Sequence, residues 1–402
     1  PGNWEEKLLV DTARRMNQLP TLIFNELLAY KKKKIEEGNR MIDLSIGSPD
    51  QAPPAFVMEE MARNAADPRQ YGYTISGIGP FYEAAARYYE QFGVKLDPEH
   101  EIIQLAGSQD GIIHLPLVFC NPGDIILVPD PGYTAYESGV KLAEAVPYPM
   151  PLLEENGFMP DLSKIPEEIA KKAKMMMLNF PGNPIPVLAE KKFFEEAVRF
   201  AKQYDLVVVH DFAYCELVFN GKKPISFLSV DGAKDVGVEF NSLSKSFNLA
   251  GARIGFLAGN REVIRLFAQM KSHMDYGIFE PVQRAAAAAL ANGKEFARHN
   301  AALYEKRRDL FVSGLSRIGW EIRPSDATMF LWAKIPEGKK SLAFTYELMD
   351  KAGVVVTPGN AFGPHGEGYV RIALVQDEER LMEAVRRIEK SGVHLPQKAG
   401  LL

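Results

Sequence analysis

The sequence is poor in cysteine and carries no strong excess of charge. Only 2 of the 402 residues are cysteines, Cys120 and Cys215, which leaves no disulfide framework or cysteine-based metal cluster and suits a reducing compartment. The net charge of −5 argues against nucleic acid or an anionic membrane as the main partner. The basic run Lys31–Lys34 lies in a helical-looking segment and is explained as a solvated helix face.

Long apolar runs, internal repeats and low-complexity segments are also absent from the sequence. No apolar run approaches the length that spans a bilayer, and the first residues, PGNWEEKLL, do not resemble a signal peptide. We therefore expect a cytoplasmic protein with no membrane partner. The rest of the composition is ordinary, at 46% hydrophobic and 25% charged residues, which predicts a packed globular core.

Short apolar runs alternate with amphipathic segments through the middle of the chain. The runs EIIQLA, IILVPD, KMMML, LVVVH, VGVEF and ARIGFLAG lack polar alternation, which is typical of strands buried on both faces of a parallel sheet. Helical patterns separate these runs, so we predict an α/β fold with a doubly wound sheet. Residues 320–335, 353–357 and 368–374 alternate more, which predicts an antiparallel sheet with one wet face.

Lys245 lies in a polar loop between two apolar runs, within VGVEFNSLSKSFNLAGARIGFLA. Desolvation at the end of a buried strand lowers the pKa of a lysine and makes its amine a nucleophile. The hydroxyls of Ser242 and Ser244 and the guanidinium of Arg253 are groups that bind a phosphate dianion. This loop therefore combines an amine for a carbonyl with a phosphate site, although the same residue types are also common in solvated loops.

Polar side chains follow several of the other predicted strands. Open α/β sheets bind ligands outside the carboxyl ends of their strands, so these side chains should meet. They are Gly107, Ser108 and Gln109 after EIIQL, Tyr133 after IILVPD, Asn179 and Asn183 after KMMML, and Asp211 and Tyr214 after LVVVH. Together they specify a ligand with a carbonyl, a basic ring nitrogen, a phenolic oxygen, a flat ring and a phosphate. Pyridoxal 5′-phosphate (PLP) has all five.

The motifs NFPGNP, HDFAY and SLSKSFNLAGARIG, in this order, resemble the class I and II PLP-dependent aminotransferases of fold type I. The resemblance runs from IGSPD at 46–50 to YVRIAL at 369–374. Within that family, the motif sequences HDFAY, KPISFL, GAKDVG and HGEGYVRIAL are most similar to the LL-diaminopimelate, methionine and alanine aminotransferase-like branch. The resemblance implies a mainly parallel doubly wound sheet in a large PLP-binding domain at 45–285. A smaller α+β domain would comprise 1–44, including an N-terminal arm, and 286–402.

The resemblance also implies roles for the cofactor-binding residues. Lys245 would hold PLP as a Schiff base and move the substrate proton, and Asp211 would bond the ring nitrogen. Tyr214, the third catalytic candidate, and Asn183 would contact the ring oxygen O3′, while Tyr133 would stack on the ring. The phosphate would be held by Ser242, Ser244, Arg253 and the helix start Gly107, Ser108 and Gln109.

Three further residues complete the implied site. Arg371 would grip the substrate α-carboxylate in a bidentate pair, helped by Asn183 and the backbone at Gly47. Tyr73 would reach the phosphate of a neighbouring subunit, which implies a homodimer with shared active sites. We expect no metal, because no other histidine or cysteine lies at ligand spacing from the His210-Asp211 pair.

We therefore predict an aminotransferase that moves an amino group between an L-amino acid and a 2-oxo acid, 2-oxoglutarate or pyruvate, by a ping-pong mechanism. Two alternatives stay open: a PLP-dependent carbon–sulfur β-lyase and a non-enzymatic PLP-fold regulator. We also expect a cis Asn183-Pro184 bond, which would aim the asparagine inward. For a second substrate carboxylate, Arg15, Arg284 and Lys271 are candidates that nothing in the sequence separates.

Overall fold

The computed structural model describes residues 10–19 and 23–396. The first nine residues of the predicted N-terminal arm lie outside these described residues. The strands are β1 Ile42–Asp43, β2 Ile102–Leu105, β3 Ile125–Asp130, β4 Val146–Pro151, β5 Ala173–Asn179, β6 Val207–Asp211, β7 Gly237–Ser242, β8 Gly255–Gly259, β9 Phe330–Lys334, β10 Val354–Val355, β11 Thr357–Pro358 and β12 Tyr369–Ala373.

Helices fill most of the intervals between these strands. They are α1 Ile23–Glu36, α2 Ala55–Ala65, α3 Gly79–Tyr89, α4 Ser108–Phe119, α5 Thr134–Leu142, α6 Glu167–Ala170, α7 Lys191–Tyr204, α8 Ala233–Val236, α9 Leu243–Ser246, α10 Arg261–Met274, α11 Glu280–Asn292, α12 Lys294–Arg317, α13 Ser341–Ala352 and α14 Glu378–Ser391. Of these, α5, α6, α8, α9, α10 and α13 were not predicted from the sequence.

The central sheet has the strand order β2-β8-β7-β6-β5-β3-β4. It is mainly parallel, as predicted, with β8 as the exception, because β8 pairs antiparallel with both β2 and β7. A parallel pair needs a long crossover, whereas β7 and β8 are separated only by α9 and a glycine-containing turn. Apolar clusters cover both faces of this sheet, which gives the doubly wound α/β fold.

Strand β4 forms one edge of the central sheet and was not predicted from the sequence. Its sequence is VPYPMP, and proline cannot donate a hydrogen bond to a strand ladder. The structure accommodates the three prolines because β4 pairs only with β3 and leaves its other side free of a strand partner. The proline pattern therefore fits an edge strand.

A smaller antiparallel sheet has the order β11-β12-β9. The expectation of one wet face for this region was wrong, because β12 and β9 are buried along almost their whole length. Trp332 and Tyr369 lie in a cluster with Leu152 and Phe158, whereas Leu331 lies in the apolar cluster of α13 and α14. Segment 353–357 is also divided, since β10 leaves this sheet and pairs in parallel with β1.

The division into a domain at 45–285 and a second one at 1–44 and 286–402 stays a prediction. In the part of the chain that the structure describes, no helix has both the length and the apolar character needed to cross a bilayer.

Candidate active site

A cavity of about 400 Å³ opens at the carboxyl ends of β5, β6 and β7. Because these strands are parallel, the residues that follow them meet at one edge of the sheet. Every residue predicted for the site lines the cavity except Gly107 and Tyr73. Phe24, Ser45, Ile46, Thr134, Asn179, Ala213, Ala250, Phe330 and Phe362 complete the lining.

Lys245 lies on the short helix α9, directly after β7. Its Nζ donates a hydrogen bond to the carbonyl of Gly47. Burial, followed by the charges of Arg371 and Arg253, lowers the pKa of Lys245 to about 8. A lysine with this pKa is about one-tenth neutral at pH 7, far more than an ordinary lysine, so part of its amine is available as a nucleophile and as a proton acceptor.

Asp211 ends β6 and is buried, with 6% of its surface exposed. Its Oδ2 accepts a hydrogen bond from the hydroxyl of Tyr136 at 2.8 Å, and its Oδ1 accepts one from the backbone N–H of Ala213 at 3.1 Å. Burial raises the pKa of Asp211 above its ordinary value. No lysine or arginine of the described residues pairs with this carboxylate, so a bound cationic group would relieve its desolvation.

Tyr136 was missed by the sequence analysis. It lies on α5, three residues after Tyr133, which is the N-cap residue of that helix, and residues three apart lie close to one face of a helix. Tyr133 itself lines the cavity, with its hydroxyl donating to Oε1 of Gln109 at 3.1 Å. A prediction of α5 as a helix would therefore have allowed the spacing of these two tyrosines to indicate that Tyr136 lies near the site.

The start of α4 and the turn that follows α9 form a candidate phosphate cradle. Gly107 precedes α4 with a φ of +79°, and a Cβ there would collide with the guanidinium of Arg253. The backbone N–H groups at the start of α4 are free for an anion, as at other helix N-termini. Ser242 and Ser244 line the same cavity, and Oγ of Ser242 accepts a hydrogen bond from the N–H of Ser244.

Arg371, on β12, is a buried cation with only 5% of its surface exposed. Its Nη1 donates to Oδ1 of Asn183 at 2.8 Å and its Nη2 to the carbonyl of Ser45 at 2.5 Å. The rings of Phe330 and Phe362 lie 4.4 Å and 4.7 Å from its guanidinium carbon. Burial lowers the pKa of Arg371 to about 10.

The Nε of Arg371 is buried and has no hydrogen-bond partner among the described residues. None of those residues supplies an acidic side chain to this guanidinium either. A buried arginine with a free donor and no anion is a binding group for a carboxylate of a ligand.

The loop between β5 and α7 places Asn183 in the cavity. Nδ2 of Asn179 donates to the carbonyl of Asp211 at 2.8 Å, and the N–H of Asn183 donates to Oδ1 of Asn179 at 2.8 Å. The prediction of a cis Asn183-Pro184 bond is confirmed. The Asp130-Pro131 and Phe180-Pro181 bonds are also cis and were not predicted.

His210 is a fully buried histidine at the end of β6, next to Asp211. Its Nδ1 lies 2.7 Å from Oε2 of Glu239, and its Nε2 lies 3.0 Å from the carbonyl of Phe180. Among the described residues, no group of three potential metal ligands includes this pair. His210 therefore connects three neighbouring segments of the sheet edge.

The donor set of the cavity fits PLP. The amine of Lys245, the cation-free carboxylate of Asp211, the ring of Tyr133 and the cradle at Gly107 match the carbonyl, ring nitrogen, ring face and phosphate of that group. The volume is in the range of small cofactor pockets.

Comparison with known proteins agrees with this chemistry. Residues 39–388 match the family described as aminotransferase class I and II. The chain belongs to this family.

Two enzymes of known activity are similar in sequence to this aminotransferase. It is 43% identical to the LL-diaminopimelate aminotransferase of Halothermothrix orenii, over 96% of this chain and 99% of that protein. It is 44% identical to an L-glutamine–4-(methylsulfanyl)-2-oxobutanoate aminotransferase of Bacillus subtilis, over 93% of this chain and 97% of that protein. Among solved structures, substrate-bound BacF from Bacillus subtilis superimposes with a TM-score of 0.92 at 38% identity, covering 95% of this chain and 98% of that one. The protein is thus a PLP-dependent transaminase.

Tyr73 is the predicted cofactor ligand that lies away from the cavity of its own chain. It is 83% exposed, and its ring packs against Tyr276 with centroids 5.1 Å apart. The contact of Tyr73 with a neighbouring subunit, which the sequence resemblance implied, stays a prediction.

The three candidates for a second substrate carboxylate do not line the cavity. Lys271 is buried and donates to Asp110 at 2.9 Å and to Asp275 at 2.6 Å. Arg284 bonds Gln70 and Glu280, and Arg15 lies 3.8 Å from Glu144 at the surface. Each is engaged by local acidic or polar partners in its own chain, and the residue for a second substrate carboxylate stays a prediction.

Proposed function

We propose that this aminotransferase exchanges the amino group of an L-amino acid for the oxygen of a 2-oxo acid, with Lys245 as the cofactor-bearing and proton-moving residue. The observation that carries the proposal is the buried guanidinium of Arg371, which has no acidic partner among the described residues and lines the same cavity as the amine of Lys245. Such a pair recognises a molecule with a carboxylate and an amino or oxo group on the adjacent carbon.

The cofactor supplies the electronic part of the reaction. When bound, PLP provides a carbonyl that condenses with amines and a ring that accepts electrons from the substrate Cα. The side chains that would hold it are Lys245 at the carbonyl, Asp211 at the ring nitrogen, Tyr214 and Asn183 at O3′ and Tyr133 on the ring face. Ser108, Gln109, Ser242, Ser244, Arg253 and the backbone at Gly107 would hold the phosphate.

The remaining steps belong to residues of the chain. Arg371, with Asn183 and the backbone at Gly47, binds the substrate carboxylate and so orients the Cα–H bond. The Nζ of Lys245 removes the Cα proton as a general base, which its lowered pKa permits near neutral pH. Asp211 would supply a negative charge for the ring nitrogen of bound PLP.

For the substrates, we propose an LL-diaminopimelate, methionine or alanine type of donor, with 2-oxoglutarate or pyruvate as acceptor. The support is the printed activity of relatives at 43% and 44% identity, one acting on LL-diaminopimelate and one on 4-(methylsulfanyl)-2-oxobutanoate. A panel of LL-diaminopimelate, methionine, glutamine and alanine against both acceptors separates these possibilities. The preferred donor is the one with the highest kcat/KM.

We further propose that the protein works as a homodimer in the cytoplasm. The exposure of Tyr73 and of its neighbours Tyr71, Tyr276 and Phe279 supports a covered surface at this position. Sedimentation of the purified protein should give the mass of two chains, and a monomer with full activity would contradict the shared-site arrangement.

A spectral experiment tests the proposed reaction directly. Purified protein should absorb in the visible range, lose this absorbance when an amino acid is added without a 2-oxo acid, and regain it when 2-oxoglutarate follows. Release of pyruvate and ammonia from cystathionine without such a cycle would instead support a β-lyase.

A further inference from the structure

Arg307 is a buried arginine that has no part in the site described so far. It lies on α12, and only 1% of its side chain is exposed. Nη1 donates to Oδ1 of Asp50 at 2.7 Å and Nη2 donates to Oδ2 at 2.8 Å, which is a bidentate ion pair. Nη1 also donates to the carbonyl of Leu374 at 3.0 Å. One guanidinium therefore joins two segments that are far apart in the sequence.

Both of these segments lead directly into the carboxylate site. Asp50 is three residues after Gly47, whose carbonyl accepts the hydrogen bond from Lys245. Leu374 is three residues after Arg371 and follows the end of β12. Arg307 thus fixes the distance between the loop that carries Gly47 and the strand that carries Arg371.

Those two segments also meet at the site itself. The carbonyl of Ser45 accepts hydrogen bonds from Nη2 of Arg371 and, at 3.0 Å, from the hydroxyl of Thr357. Arg307 therefore contacts, at Asp50 and Leu374, the same two segments that meet at Ser45 and Arg371 in the candidate site.

The same helix also contacts the loop of the catalytic lysine. Asn300 lies seven residues before Arg307, a spacing that puts both side chains on one face of α12. Its Nδ2 donates to the backbone carbonyl of Lys245 at 3.1 Å and to Oδ1 of Asn248 at 3.3 Å. Asn248 in turn donates to the carbonyl of Ala52 at 3.3 Å, two residues after Asp50.

Stability alone is a weak explanation for a buried ion pair. The free energy needed to remove two charges from water is about as large as the free energy gained from their attraction. An apolar pair of similar volume therefore often stabilises a protein equally well. A bidentate arginine–carboxylate pair differs from an apolar contact in that it fixes orientation. Partial burial opposes the ionisation of Asp50, but the hydrogen bonds from Arg307 and Gln51 lower its pKa on balance, so the pair is charged at neutral pH.

We propose that Arg307 is a positioning residue for the substrate carboxylate. Through Asp50 and the carbonyl of Leu374 it sets the separation between Gly47 and Arg371, the two groups to which the proposed function assigns carboxylate binding. The inference rests on that proposed function.

The test compares holoenzyme variants with Arg307→Lys as the central one. Lysine keeps the charge but cannot make the two-pronged contact with Asp50. We expect KM for the amino donor to rise by about 10- to 100-fold, with a smaller change in kcat, because a displaced binding group weakens substrate capture. A direct binding titration with 2-oxoglutarate on the amino-loaded enzyme should weaken by the same factor.

Lys306→Met is the matched control. Lys306 is the neighbouring residue on α12 and makes an exposed ion pair with Glu378 at 3.0 Å. This variant should retain the wild-type KM and binding. If Arg307→Lys does not yield folded protein, Asp50→Asn removes the charge pair and keeps the contact of Arg307 with Leu374, and the same rise in KM is expected.

Two results would overturn the inference. One is a wild-type KM in Arg307→Lys or Asp50→Asn while Arg371→Lys raises KM. The other is a parallel loss of cofactor content and thermal stability that accounts for the whole loss of activity, which would indicate a purely structural role. Failure of the wild-type protein to transfer amino groups would overturn the proposed function instead, so the two failures are distinguishable.

Discussion

The hydroxyl of Tyr136 donates a hydrogen bond to Oδ2 of Asp211 at 2.8 Å, with both side chains buried beneath the candidate cofactor site. Burial raises the pKa of Asp211, whereas the hydrogen bond from Tyr136 lowers it. Tyr136 therefore favours the charged form of the carboxylate that we propose as the partner of the cofactor's ring nitrogen.

Replacing Tyr136 with phenylalanine should weaken catalysis on the acidic side of the pH profile. The pKa of Asp211 rises further when the hydrogen bond is lost, so the ionised form disappears at a higher pH than in the wild type. A hydrogen bond to a charged group contributes about 1.5–3 kcal/mol, so kcat/KM should fall by roughly 10- to 100-fold. The pH dependence of kcat/KM measures both effects.

Tyr30→Phe is the control for that measurement. Tyr30 also donates to an aspartate, Asp350, at 2.7 Å, but this pair is exposed and neither residue lines the cavity. The pH dependence of kcat/KM for Tyr30→Phe should match that of the wild type. If kcat/KM of Tyr136→Phe falls at the same acidic pH as kcat/KM of the wild type, the role of Tyr136 is refuted.

The amine of Lys245 should titrate well below an ordinary lysine in the cofactor-free protein. Brief exposure to PLP followed by borohydride reduction labels neutral amines, and labelling of Lys245 should rise with a midpoint at about pH 8. Lysines with ordinary surroundings titrate at about 10.4. Peptide mapping identifies the labelled residue, and Lys245→Ala should lose this signal and all transaminase activity. A midpoint near pH 10 would contradict the lowered pKa.

The same shift predicts a pH-dependent stability of the cofactor-free protein. The unfolded chain binds the proton of Lys245 more tightly than the folded chain, so between about pH 8 and pH 10.5 stability rises with pH. Below pH 8 the cost reaches an upper bound of about 3 kcal/mol. Lys245→Met should therefore unfold at higher denaturant concentration than the wild type at pH 7, and the difference should shrink by pH 10. Equal stability of the two proteins at pH 7 would contradict this expectation.

Arg371→Lys should raise KM for both amino and oxo acids. Lysine has a compact ammonium group in place of the planar guanidinium with its several donors. The contacts with Asn183, Ser45 and a substrate carboxylate therefore cannot form together. We expect kcat/KM to fall by about 100-fold, which corresponds to the loss of one charged hydrogen bond in a buried site. Steady-state kinetics with donor and acceptor varied separately measures the effect. A fall in kcat alone, with KM unchanged, would argue against carboxylate binding.

The proposed sharing of Tyr73 between subunits can be tested with mixed dimers. As homodimers, a chain with Lys245→Ala should be inactive and a chain with Tyr73→Ala should show weak activity. In the mixed dimer, the site with an intact Lys245 receives the intact Tyr73 of the other chain and should regain wild-type kinetics. Absence of complementation, with mixed dimers verified by differential tags, would show that Tyr73 does not act across the interface.

Much of the site followed from the sequence because its residues come directly after buried strands. Asp211 ends β6, Lys245 lies one helical turn after β7, and the carboxyl ends of parallel strands converge whatever the details of packing. Chemistry then limited the choice, since few ligands need an amine, a carboxylate and a phosphate cradle together.

Other features had no local signal. The antiparallel direction of β8, the pairing of β10 with β1 and the covered faces of the smaller sheet depend on which segments pack together, and alternation of residue types reports only local burial. For the same reason the three candidate cations Arg15, Arg284 and Lys271 could not be separated before their partners were known.

The sequence by itself therefore determined the fold class, the cofactor chemistry and the residues at the strand ends. The tertiary structure alone decided which groups support them: Tyr136 beneath Asp211, 75 positions away in the chain, and Arg307 against Asp50, 257 positions away. A hydrogen bond between distant residues leaves no periodic pattern, because it arises only when the backbone brings the two side chains together.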